Sequence, residues 1–345
     1  MRIDPRRFAV KAVVVIVIGA FLLYLPQQLE AFEVGNLNKV LCFAIAALGL
    51  NLLTGYNGQI SIGHGAFFGI GAYTSVILVT DHGWPHLATI AAAAAIAFAV
   101  GVLVGLPALR IEGLYLALVT LALATVFPQL VTRFSDLTGG SQGKNVPLPD
   151  RFRAPEWSGL ANDQWKYYVF LTFAVVLFVL VRNLVHSRAG RAIISIRDNE
   201  TAAETLGVHS AAYKVITFGV SAMIAGIAGA LYSFETSFVS AGEFTINLSI
   251  TFLVAVVVGG AATIIGPAIG AFLVIYIPIW LDDFGADPQL SPVLFGGSLI
   301  ALMMLAPGGI MGLYRRAMAW VGRRLRSRGS APPTHGAPDA LASTT

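Results

Sequence analysis

Gly55-Tyr-Asn-Gly-Gln-Ile-Ser-Ile-Gly-His-Gly-Ala-Phe-Phe-Gly-Ile-Gly-Ala-Tyr73 is the most informative stretch of the chain. It sets Asn57, Gln59, Ser61 and His64 among closely spaced glycines, with apolar runs on either side. In lipid each of those polar groups costs free energy unless it is paired or wet. Glycine there lets two helices touch, or lets the backbone leave helical geometry where it lines a cavity. The cluster therefore reads as a translocation path or a hinge inside a membrane bundle. Helix caps and interhelical bonds are the plainer reading for any one residue, and His64 alone decides nothing.

Outward from this stretch the composition agrees. The chain has 345 residues, 56% of them hydrophobic and 12% charged, where soluble domains carry about 25% charged residues. A span needs about 20 apolar residues, and such runs are expected at 10–25, 38–54, 61–80, 86–107, 113–133, 166–184, 213–234, 248–260, 263–281 and 291–306. The fold class is all-α, a polytopic transmembrane bundle of about ten spans with broken or re-entrant glycine-rich segments, as where spans eight and nine meet around Gly259, Gly260, Gly266 and Pro267; a path near 57–65 and 257–270 is expected. Residues 8–25 follow Arg2, Arg6, Arg7 and Lys11 as a signal peptide would, but no A-x-A-like site succeeds them, so an uncleaved first span is expected. Cys42 is the lone cysteine, which excludes an internal disulfide or a cysteine metal cluster.

The +4 net charge comes largely from arginine-rich ends. Basic flanks beside spans follow the positive-inside rule and do not call for nucleic acid. With a cytoplasmic N-terminus and an even number of spans, Arg110, the segment with Arg182, Arg188, Arg191 and Arg197, and the tail with Arg315, Arg316, Arg323, Arg324, Arg326 and Arg328 all fall inside. Glu30, Glu33, Asp81, Glu235, Glu243, Asp282, Asp283 and Asp287 fall outside. This predicts a transmembrane domain over 1–310, a periplasmic loop at 135–165 rich in Gly and Pro with Trp157 and Trp165, a cytoplasmic loop at 186–210, and a basic cytoplasmic tail at 311–345, disordered at its end.

Chemistry-bearing motifs are missing where an enzyme would need them. Gly63-His-Gly65 with Gly69 lacks the spacing and the preceding strand of a dinucleotide fingerprint. Residues 139–145 resemble a phosphate loop, yet Thr138 and Asn145 stand where Gly and Ser or Thr are required. No His-Glu-x-x-His or Gly-x-Ser-x-Gly occurs. An ion-coupled secondary transporter would place ionisable groups at mid-membrane, where only His64 is a candidate. Energy must then come from outside, and the 186–210 loop offers a place to receive it. Asp198 or Asn199 can cap a helix ending at Gly207, with Ala202, Ala203 and Leu206 as a small apolar face that fits a partner's groove; lying on lipid headgroups is the other use of such a helix. The glycine-rich segments 58–71 and 259–270 are weakly alike, as in transporters built from two related halves.

The run from Ala47 to Thr74, then Glu112-Gly-Leu-Tyr-Leu-Ala-Leu-Val-Thr-Leu-Ala122, Thr138-Gly-Gly140, Gly190-Arg-Ala with Ile196-Arg-Asp-Asn-Glu200, Ala203-Glu-Thr-Leu-Gly207, and Val257-Val-Val-Gly-Gly260 with Gly266-Pro267 jointly resemble the LivM-type permease of bacterial branched-chain amino-acid ABC importers. The resemblance covers about residues 38–310. It implies a multi-pass inner-membrane subunit paired with a LivH-type permease, two cytoplasmic ATPases that carry ATP and Mg, and a periplasmic substrate-binding protein. This chain would bind no cofactor itself and would not be an enzyme. The resemblance further implies that 190–207 is a coupling helix, its ATPase-facing residues Gly190, Arg191, Arg197, Asp198, Asn199, Glu200, Ala203, Glu204 and Gly207. The Glu-Ala-Ala-x-x-x-Gly pattern of importer loops is met by Ala202, Ala203 and Gly207, while the acid stands at Glu200 rather than at 201. Candidates for the translocation path are Asn57, Gln59, Ser61, Gly63, His64, Gly65, Gly259, Gly260, Gly266 and Pro267. A urea or amide permease of the same family is the nearest alternative.

Overall fold

The computed structural model describes residues 17, 19–107, 114–285, 287, 290–316 and 318. The expected first span at 10–25, Arg110 and Glu112, and the tail beyond 318 lie wholly or largely outside the described residues. Apolar runs become helices because in hydrocarbon only an internally bonded backbone is tolerated. The helices are α1 (Ala31–Leu50), α2 (His64–His82), α3 (His86–Gly105), α4 (Leu114–Arg133), α5 (Asn162–His186), α6 (Arg188–Asp198), α7 (Glu200–Thr205), α8 (Ser210–Thr236), α9 (Ile246–Gly259), α10 (Gly266–Asp283) and α11 (Ser291–Leu305). The chain is helical again over 309–316.

Among the described residues eight helical segments are long and apolar enough to span a membrane, fewer than the ten expected. The difference has two sources. The first span lies mostly outside the described residues, and α2 begins on polar His64 and is not among the eight. The expected cores otherwise fall on α1, α3 to α5 and α8 to α11, and α11 continues with 309–316 as one 24-residue candidate from Val293 to Arg316. The expected break between α9 and α10 occurs at 260–265, and a second lies where α1 passes into a π-turn at Asn51–Tyr56 followed by non-helical 57–63.

Two helices form the centre. The apolar windows of α1 and α8 are 72% and 78% buried, whereas those of the remaining candidates are 17–39% buried. Small residues make this possible. A Cβ at Gly229 would run into the Phe68 carbonyl, one at Gly71 into the Gly226 carbonyl, and one at Gly226 into Ala97. Backbones of α2, α3 and α8 thus touch directly, the packing expected where lipid supplies no hydrophobic drive between helices. Phe43, Phe68 and Phe252 fill the space beside them with ring centroids 5.1–6.1 Å apart.

The two ends of the bundle differ. At one, β1 (Lys144–Asn145) pairs antiparallel with β2 (Phe238–Val239), and Lys144 Nζ bonds Asp81 Oδ2 at 2.6 Å. Trp157 there is exposed and edge-on to Trp165 at 5.8 Å. Two-residue strands leave no alternating pattern in sequence, and this ribbon was not expected from it. At the other end lie α6 and α7, the π-turn, the 260–265 link and Arg315, here called the basic end.

Candidate functional site

The 57–65 segment leaves helical geometry yet stays buried. Asn57 Nδ2 donates to Gln59 Oε1 at 2.7 Å, the Asn57 and Gln59 amides return to the Leu52 and Leu53 carbonyls, and Thr54 Oγ1 donates to the Gln59 carbonyl at 3.2 Å. Asn57 Oδ1 has no hydrogen-bond partner in this single chain. Such an orphan acceptor in a buried turn is costly. Among the described residues it is the one candidate path residue with a buried side-chain atom left unpaired.

His64 sits at the start of α2 and is fully buried. The Ser221 hydroxyl gives its single hydrogen to the Gly49 carbonyl at 2.6 Å. Ser221 must therefore accept from His64, whose Nε2–H lies 2.7 Å away. In the neutral ring with its proton on Nε2, Nδ1 accepts from Ser61 Oγ at 3.2 Å, while Ser61 Oγ accepts from the Gly63 amide. The network places a proton on Nε2 and ties α1, α2 and α8 together. Gly63 is required because a Cβ would lie 2.6 Å from the Thr120 carbonyl, and Ile62 N donates to Thr120 Oγ1 at 2.9 Å. The Gly65 amide donates to Ser249 Oγ at 2.8 Å.

The second group of expected path residues is packed as tightly. A Cβ at Gly259 would meet the Gly266 carbonyl, one at Gly266 would meet Thr263 Oγ1, and Gly260 adopts φ +114° against Gly308. Pro267 opens α10, where its missing amide hydrogen is no loss. Asn51 joins the two groups: its Oδ1 accepts from Ala262 N at 2.9 Å and its Nδ2 donates to the Thr263 carbonyl at 2.8 Å. Asn51, Thr120, Ser221 and Ser249 were not singled out from sequence. Their signal was faint, a lone polar residue within an apolar helix whose partner is remote in the chain. A cavity of about 410 Å³ opens beside the joint, lined by Tyr56, His186, Thr263, Ile264, Tyr314 and Arg315.

The 186–210 loop holds two helices rather than one coupling helix. Asn199 is extended, at φ −162° and ψ 105°, and its Oδ1 caps α7 through Ala202 N at 3.0 Å. Ser187 Oγ caps α6 through Gly190 N at 3.2 Å, and a Cβ at Gly190 would strike the Leu184 and Val185 carbonyls. Gly207, at φ +84°, closes α7: its amide meets the Glu204 carbonyl at 2.9 Å, and Val208 N meets that of Ala203 at 3.1 Å. That is a Schellman stop. The expected apolar face divides, because Ala203 is buried against the bundle while Ala202 is exposed and Leu206 is 84% exposed. Glu200 pairs with Lys214 of α8 at 2.6 Å and Glu204 accepts from Ser210 Oγ. Arg191 is exposed. Arg197 is exposed too, but its side chain lies back along the bundle, donating from Nη1 to the Gly55 carbonyl at 3.0 Å while Asp198 Oδ1 holds Nη2 at 2.7 Å. Among the described residues no group of three or more His, Cys, Asp or Glu could hold a metal.

Residues 34–303 match the family model described as "Branched-chain amino acid transport system / permease component". The chain is 30% identical to the LivM permease of Escherichia coli K12, an alignment that covers 84% of this chain and 72% of that one. It is 26% identical to BraD of Pseudomonas aeruginosa, over 84% of this chain and 96% of the relative, and 26% identical to LivH of E. coli K12, over 85% and 96%. No solved structure matches it. A multi-pass bundle with buried breaks at two glycine-rich segments and a family match across 34–303 lead to one conclusion: the chain belongs to the permease-component family of branched-chain amino acid transport systems.

Proposed function

We propose that this chain is the LivM-type permease of an ATP-driven importer, passing branched-chain amino acids across the inner membrane by alternating access. The observation that carries the reading is the family match over 34–303 together with relatives named for branched-chain amino-acid transport along most of their length. Both termini are cytoplasmic and the basic end faces the cytoplasm, a reading that the positive-inside bias of its arginines supports. A LivH-type permease completes the pore, two ATPases holding ATP and Mg dock on the 186–210 loop, and a periplasmic binding protein delivers cargo to the end that carries the β1–β2 ribbon.

The geometry supports the division of labour. α7 is doubly capped and presents Leu206 outward, a shape that fits a groove in a partner. Movement of α6 and α7 rocks the bundle about the two breaks, and the Asn57 and Gln59 amides with neighbouring backbone carbonyls give a small zwitterion modest polarity without a fixed charge. Uptake into proteoliposomes containing this chain, LivH-type partner, ATPases and binding protein tests the cargo. Radiolabelled leucine should accumulate when ATP is supplied and unlabelled urea should not compete; urea accumulation with no leucine uptake would assign the chain to the urea branch.

A further inference from the structure

Arginines on a loop beside a bundle are ordinarily free donors for a partner surface. Arg197 is not arranged that way. Its stem lies across Gly58, where a Cβ would be 2.8 Å from Arg197 Cγ and where φ is +74°, so glycine alone leaves the arginine its bed. One edge of the guanidinium is held by Asp198 Oδ1, at 3.0 Å from Nε and 2.7 Å from Nη2, and the far nitrogen Nη1 reaches the Gly55 carbonyl at 3.0 Å. The fork is therefore oriented by its own helix end and spent on the π-turn at Asn51–Tyr56.

The receiving turn is itself a junction. The position of a Gly55 Cβ is occupied by Asn51 Oδ1 and, at 2.5 Å, by Ala262 N. Gly55 is thus wedged between Arg197 on one side and the Asn51 bonds to Ala262 and Thr263 on the other. From α6 a single run of contacts leads through Arg197, Gly55 and Asn51 to the 260–265 link between α9 and α10. A π-turn is a rare, loosely bonded form that recurs at functional sites. A charge-assisted bond to its carbonyl is the strong contact of the run.

We propose that Arg197 is the positioning residue through which the 188–205 segment sets the geometry of the Asn51–Tyr56 turn, so that displacement of the loop is transmitted to both glycine-rich breaks. The proposal rests on the importer reading and deepens it: docking belongs to residues such as Arg191 and Leu206 that face away from the bundle, transmission to Arg197, whose guanidinium is bonded to it. Arg197→Lys keeps the charge and most of the stem over Gly58 but lacks the planar fork that can serve Asp198 and Gly55 together.

The test uses the fully reconstituted transporter, reading leucine taken up per ATP hydrolysed. For R197K this ratio should fall at least tenfold while ATPase co-purification and ATP hydrolysis stay within twofold of wild type. An unchanged ratio, or loss of ATPase association in R197K, would overturn the proposal, the latter because Arg197 would then be a docking residue. If R197K fails to accumulate in the membrane, Gly58→Ala is read the same way, since it displaces the arginine stem and leaves the outer surface of the loop intact: a tenfold fall supports the proposal and an unchanged ratio overturns it. A wild-type assembly that showed no ATP-driven uptake would remove the importer reading itself, and this inference with it.

Discussion

His64 is held by a sequence of donors that admits one tautomer, and Ser221 is the residue on which that sequence turns. Ser221→Ala strips the imidazole Nε2–H of its acceptor and leaves a donor buried without a partner, a loss on the order of 1–3 kcal/mol. Thermal unfolding of the purified protein should show a lower midpoint, and an unchanged midpoint would mean the network is idle. Gly63 gives a second prediction. A side chain there meets the Thr120 carbonyl at 2.6 Å before it meets anything resembling a pore, so Gly63→Leu should reduce membrane abundance as well as uptake, measured by quantitative blotting of membranes. Normal abundance with blocked uptake would place Gly63 on the path instead. Sequence reading located this cluster because polar side chains are costly in lipid. It could not name their partners, since Ser221 stands 157 residues from His64 and looks like any other hydroxyl in an apolar helix.

At the scale of elements, α6 and α7 owe their shape to caps that sequence made readable: Asn199 ahead of Glu200, Gly207 after Leu206. What was not read from sequence was α6, the separate helix ahead of Asn199, because Gly190, Ser195 and the arginines of 188–198 give it no strong apolar run of its own. Removing the caps together, as Ser187→Ala with Asn199→Ala, should cost on the order of 1 kcal/mol per cap and raise hydrogen exchange across 188–205; unaltered exchange would show that tertiary contacts alone hold these helices. Gly207→Ala places a Cβ in open space but at φ +84°, a strain of about 1–2 kcal/mol confined to this loop. It should weaken ATPase co-purification while the permease inserts normally, and full co-purification would detach α7 from the docking surface. The β1–β2 ribbon shows the same limit of sequence reading, two residues per strand being too few for any periodicity.

For the whole molecule, the periodic helices emerged from hydropathy with boundaries close to those observed, whereas which of them would be central did not. Every apolar run looks alike from outside, and only small residues distinguish α8, with Gly219, Gly226 and Gly229 at its contacts. The bundle that results has an exposed apolar girth, the 186–210 loop at one end and buried breaks beside that loop, all without nucleotide-binding motifs. Its account stands on the source of energy. Leucine accumulation should therefore be measured in proteoliposomes holding this chain alone under sodium or proton gradients, and holding the full assembly with internal or external ATP. The account predicts concentration of leucine only in the assembly with ATP on the loop side; accumulation by the chain alone on an ion gradient would contradict it.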